Sequence, residues 1–76
     1  MSICKVKLNA IGDIRNFVNA ASDYDSQIEA VSGRHIVNAK SLMGIFSLDL
    51  SKPVELHVHG DNTEGFFKAI RNWLVQ

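Results

Sequence analysis

The chain has 76 residues, 46% of them hydrophobic, and its eight basic and eight acidic side chains give a formal net charge of zero. That length allows one domain, residues 1–76, with a small core; the interspersed charges exclude a global attraction to nucleic acid or to an anionic membrane. A single cysteine, Cys4, excludes an intrachain disulfide and a CxxC zinc site.

The amino-terminal "MSICKVKLNA" lacks the continuous apolar run of a signal peptide, and no apolar stretch nears the ~20 residues that span a bilayer. The expectation is a soluble cytoplasmic domain. "ICKVKL" alternates, with Cys4, Val6 and Leu8 on one side and Lys5 and Lys7 on the other, which predicts a strand with one wet face. "IRNFVNAA" follows with Ile14, Phe17, Val18 and Ala21 at helical spacing, and Asp13 stands where an N-cap would.

"SQIEAVSGRHIVNA" reads as a hairpin, with Ile28 and Ala30 on one face, Gln27 and Glu29 on the other, and Ser32-Gly33-Arg34 at the turn. A short helix is expected from Ser41 to about Phe46. Pro53 then introduces "VELHVHG", a strand with Val54, Leu56 and Val58 inward and Glu55, His57 and His59 outward. "DNTEGFFKAIRNWLVQ" predicts one closing helix: Asp61 and Glu64 stand at capping-box spacing, and Phe66, Phe67, Ile70, Trp73 and Leu74 make the buried stripe.

The order βαββαβα, with each strand offering one apolar face, predicts an α+β fold. It is a two-layer open-faced sandwich, a four-stranded antiparallel sheet covered on one face by three helices. The short helix has more apolar residues than one small core can bury. If Leu42 and Ile45 pack inward, Met43 and Phe46 form a second i, i+3 pair toward solvent. A thioether beside an aromatic ring suits a protein-binding surface, and Gly44 offers a flat place for a partner backbone.

"KSLMGIFSL", preceded by the turn "SGR" and by "HIVNA", resembles the second helix of HPr, the histidine-containing phosphocarrier of the bacterial sugar phosphotransferase system. It looks most like the Gram-positive form, whose Lys-Ser-Ile-Met-Gly run holds a regulatory serine. The resemblance implies the fold above. It also implies a regulatory phosphorylation site at Ser41 and a partner-docking patch at Lys40, Leu42, Met43, Gly44 and Phe46. Implied partners are an HPr serine kinase/phosphorylase or a transcription regulator, with the protein itself a monomer or weak homodimer.

HPr proteins that carry phosphate have a Gly-Leu-His-Ala-Arg-Pro-Ala type segment before the first helix. Here the connection "LNAIGDIRNFV" is shorter and has no histidine; the first in the chain is His35, and Arg15 falls inside the helix. The resemblance therefore implies a divergent member without the phosphohistidine relay, like relatives that keep the serine and serve only as regulatory partners. A phosphate on Ser41 would add about −1.5 to −2 charges at a helix start, with Lys40 adjacent to neutralise it.

The alternatives are a small-molecule or metal-binding domain around His35, His57 and His59, and an oligomerisation module. Against metal, His57 and His59 form only a pair, with no acidic or cysteine partner at ligand spacing. Asp23, Asp25 and Glu29 lack the spacing of a calcium loop, and Cys4 points inward as a small hydrophobe. No nucleophile-base pairing, phosphate loop or paired carboxylate is present. The chain is expected to be no enzyme and to hold no cofactor.

Overall fold

The computed structural model describes residues 1–75. Five strands and three helices run in the order β1 (Ser2–Val6), α1 (Ile11–Ser22), β2 (Ile28–Ser32), β3 (His35–Asn38), α2 (Leu42–Phe46), β4 (Val54–Val58), α3 (Glu64–Ala69) and β5 (Leu74–Val75). A 3-10 turn, Arg71–Trp73, lies between the last two. The sheet order is β3-β2-β4-β1-β5, with every neighbour antiparallel. The helices lie on one face of it.

Alternation along the strands builds the core. Val37, Ala30, Leu56 and Cys4 form one inward row across four strands, and Ile28 beside Val58 and Val6 beside Val54 form its neighbours. From the helical layer, α1 contributes Ile14, Phe17, Val18 and Ala21 at i, i+3, i+4 and i+7, and α3 contributes Phe66. Leu8, Ala39, Ile45, Leu48 and Ile70 complete the cluster. A fully buried side chain of this kind stabilises the fold by about 2 kcal/mol. No buried polar side chain interrupts the cluster among the described residues. Cys4 packs half-buried against it, and burial pushes its thiol pKa above the usual range, as desolvation disfavours the thiolate.

The β2–β3 hairpin closes on Gly33-Arg34, with Ser32 paired to His35. Gly33 has φ +60°, the sign that the first central residue of a type II′ turn requires.

Two expectations need correction. Asp13 does not cap α1; the helix begins at Ile11 after Ala10, and Asp13 is its third residue. From there Asp13 Oδ2 accepts the backbone N–H groups of Ala10 at 3.2 Å and Asn9 at 3.3 Å, half of a capping box.

The carboxyl-terminal segment is not one helix. Its α-helix follows Thr63, not Asp61, and ends at Ala69, and Leu74 leaves in extended geometry. The physical reason is a better set of partners. The Trp73 carbonyl accepts Lys7 N–H at 2.8 Å, and Leu74 and Val75 pair with Val6 and Lys5. The sheet thus has five strands where four were expected. Leu74 is exposed and Phe67 and Trp73 are half-buried, so only Phe66 and Ile70 of the expected stripe are sealed from water. Gln76 lies outside the described residues.

Candidate docking helix

The helix α2 is short, and its first turn depends on the residues before it. Ser41 has extended backbone (φ −101°, ψ 113°), and its Oγ accepts the Gly44 N–H at 3.1 Å, the geometry of an N-cap. Its own N–H donates to the Asn38 carbonyl at 3.0 Å, while Asn38 Oδ1 accepts Lys40 N–H at 2.9 Å. At the other end Ser47 Oγ donates to the Gly44 carbonyl at 2.6 Å. Both ends of a five-residue helix are therefore tied by serine hydroxyls.

One side chain anchors it. Ile45 is 1% exposed, whereas Met43 is 78%, Phe46 43% and Leu42 37% exposed. Met43 and Phe46 lie toward solvent as expected, but Leu42 does not join Ile45 in the core. It sits at the mouth of a 230 Å³ cleft shared with Arg15, Val18 and Asn19 of α1.

Gly44 and Lys40 take different places from those expected. A Cβ on Gly44 would stand 3.2 Å from Val37 Cβ and 3.3 Å from Ser41 Oγ. The missing side chain thus lets α2 approach β3, and the bare position faces inward, away from any partner backbone. The Lys40 ammonium donates to the Tyr24 carbonyl, fastening the loop after α1 to the start of α2. It is not a free charge waiting beside Ser41.

In the connection between β1 and α1, Lys7 Nζ donates to Asn9 Oδ1 at 2.8 Å and to the Leu50 carbonyl at 3.0 Å. With Asp13 bonded to Asn9 and Ala10, a negative side chain occupies this end of α1. Arg15 is exposed on the helix itself.

The three histidines do not converge. His57 Nε2 donates to Glu55 Oε1 at 2.7 Å and His59 Nε2 to Glu29 Oε1 at 2.8 Å, both on the outer sheet face. His35 lies at the hairpin turn. No group of three metal-ligating side chains occurs among the described residues, so His35 is not brought to the His57–His59 pair. Glu55 stands beside His57 on the outward face as the alternation predicts, and the sheet register adds Glu29 opposite His57, which spacing along the chain could not reveal. No described helix is long and apolar enough to cross a membrane.

Comparison with known proteins agrees with this architecture. The profile of the PTS-HPr family, described as "PTS HPr component phosphorylation site", matches residues 14–75. No curated protein sequence matches the chain. Among solved structures it is similar to HPr-C-His from Thermoanaerobacter tengcongensis, with a TM-score of 0.79 at 33% identity over 95% of this chain and 89% of that one. The HPr dimer from the same organism has a TM-score of 0.67 at 39% identity, over 78% of this chain and 70% of that one. Crh, the Bacillus subtilis catabolite repression containing protein, a domain-swapped dimer, has a TM-score of 0.65 at 26% identity over 95% of this chain and 88% of that one.

Proposed function

The chain belongs to the HPr family of the phosphotransferase system, and from that membership we propose a regulatory adaptor that binds protein partners through the Ser41–Phe46 helix without passing phosphate through a histidine. HPr-type proteins are carriers, not enzymes, and this member keeps a carrier's docking surface without the carried group. The observation that carries the reading is the outward pair Met43 and Phe46, on a helix held by Ile45 and two serine caps. Apolar side chains on a fixed frame bind a partner with little ordering cost.

Loss of the relay is supported at the start of α1. Where a carrier would receive a phosphoryl group before α1, this chain has no histidine. The Asp13 carboxylate already holds two backbone donors there and would repel an incoming phosphate.

Ser41 is the proposed switch. Its Oγ would keep its place at the helix start while gaining about −1.5 to −2 charges. With Lys40 engaged at Tyr24, most of that charge would be presented to the partner.

The test uses the whole protein. Incubation with phosphoenolpyruvate and the general phosphotransferase enzyme should leave its mass unchanged; phosphate on His35, His57 or His59 would overturn the loss of the relay. An ATP-dependent HPr serine kinase should add one phosphoryl group at Ser41, and failure to do so would remove the switch. Titration of a family transcription regulator should shift the Met43 methyl and Phe46 ring signals. Binding that survives Met43→Asp combined with Phe46→Ala would remove the docking role.

A further inference from the structure

A second recessed site lies at the carboxyl-terminal end of α2. The β2–β3 turn and the loop from α2 to β4 enclose an open notch of about 440 Å³, lined by Ser32, Arg34, His35, Ser47, Asp49 and Lys52. Pockets that take uncharged ligands are mostly walled by apolar and aromatic side chains. This one has no aliphatic side chain and a single ring, the polar imidazole of His35, so its lining favours a charged ligand.

The charges in the notch are uncommitted. Neither Arg34 nor Lys52 makes a side-chain hydrogen bond or ion pair among the described residues, although Asp49 lines the same notch. Asp49 Oδ1 instead accepts Ser51 N–H at 3.1 Å and Ser51 Oγ–H at 2.5 Å. Those two bonds, ahead of the Lys52 and Lys7 charges, hold its carboxyl below the usual range. Two cations therefore face solvent beside an acid whose Oδ1 already has donors. Arg34 is a planar fork and Lys52 a point charge, the pair of chemistries that brackets a phosphate.

Of the other polar side chains, the Ser32 hydroxyl and the His35 ring N–H can donate, whereas Ser47 and Asp49 present acceptors. Ser47 gives its proton to the Gly44 carbonyl at 2.6 Å, so its oxygen presents lone pairs, and Asp49 Oδ2 has no partner among the described residues. Such acceptors repel a bare anion but suit hydroxyl groups attached to one. The two walls are also fixed beforehand, one by the paired hairpin with Gly33 at φ +60°, the other by the serine closing α2.

From this layout we infer that the notch binds a small phosphate monoester bearing free hydroxyl groups, its phosphate between Arg34 and Lys52 and a hydroxyl donating to Asp49 or Ser47. The site adjoins the carboxyl-terminal end of α2 through Ser47 and uses none of Ser41, Leu42, Met43 and Phe46.

Amide chemical shifts of the ¹⁵N-labelled protein test this during titration with glycerol 3-phosphate, inorganic phosphate and, at matched ionic strength, sodium chloride. Saturable shifts are expected at residues 33–35 and 47–52, with the ester binding more tightly than inorganic phosphate. Arg34→Gln with Lys52→Gln should weaken the ester by about tenfold or more, the loss of one charge-assisted bond or two. Both side chains are solvent-exposed, so the spectrum elsewhere should superimpose on that of the parent. Asp49→Ala combined with Ser47→Ala removes both hydroxyl acceptors and should abolish the preference for the ester. Linear shifts reproduced by chloride, saturable shifts elsewhere, equal affinity for the two phosphates, or a double variant that binds as the parent does would each overturn the assignment.

Discussion

Phe17 meets Trp73 edge-on, with ring centroids 6.1 Å apart and planes at 83°. Phe17 is wholly buried in α1, while Trp73 is the last residue of the 3-10 turn before β5. The contact joins the carboxyl-terminal segment to the core, and the Trp73 carbonyl then receives Lys7 N–H.

Trp73→Ala should therefore cost about 2–3 kcal/mol, less than truncation of a fully sealed tryptophan. Urea unfolding followed by circular dichroism would measure it, and exchange of the Lys7 amide should quicken in step. Trp73→Phe should recover most of the loss. A change below about 0.5 kcal/mol, the scatter of neutral surface substitutions, would mean that β5 is held by something else.

The two sides of α2 should respond differently to truncation. Ile45→Ala removes a sealed anchor and is expected to cost about 2–4 kcal/mol, whereas Met43→Ala should stay within about 0.5 kcal/mol. Ser41→Ala removes the N-cap acceptor and should cost about 1 kcal/mol, near 4–8 °C in Tm at this size. Ser41→Asp keeps an acceptor for Gly44 N–H and should recover much of that. If Met43→Ala destabilised as much as Ile45→Ala, α2 would be packed differently from the arrangement described.

Cys4 carries a prediction in pH. Burial raises its pKa in the folded chain, so the unfolded chain loses the proton first as pH rises. The stability linked to the neutral thiol is complete below the usual thiol range and declines as pH climbs through that range to the folded value. Urea midpoints between neutral and strongly alkaline pH should fall more steeply for the parent than for Cys4→Val. Iodoacetamide should also label the folded protein more slowly than the unfolded chain. Equal labelling rates would contradict the packing of this thiol.

Much of the fold was legible because each inner strand carries its own alternation. Val54, Leu56 and Val58 are buried with Glu55 and His57 outward, as periodicity alone predicts. The closing segment failed for an equally local reason. Phe66, Ile70, Trp73 and Leu74 fit helical spacing, and a two-residue strand has no period to read. What ends the helix is Lys7 N–H in need of an acceptor, sixty-six residues away from Trp73 along the chain. Asp13 was misplaced because an acidic residue serves both at a cap and within the first turn, and only the backbone distinguishes the two.

The helix α2 was legible as a motif, and its excess of apolar residues was visible from composition. The inward face of Gly44 was not, since it depends on Val37 of a strand packed beneath it. Nor could spacing reveal the Lys40–Tyr24 tie, which joins a side chain to a carbonyl in a distant turn. The notch had no signal at all. Arg34 and Lys52 belong to separate loops, and only the packing of the hairpin against the end of α2 brings them together.

The register of β1 on β4, with Ser2 opposite Val58 and Val6 opposite Val54, sets a condition on the order of assembly. A nascent polypeptide can zip the β2–β3 hairpin as soon as that stretch clears the ribosome, but its first strand must wait for Val58 before finding a neighbour. Closing so wide a loop is the slow kind of event in folding. Until then Val6 and Leu8 stay exposed as a sticky leader, the interval in which a chaperone or a misplaced copy would meet the chain.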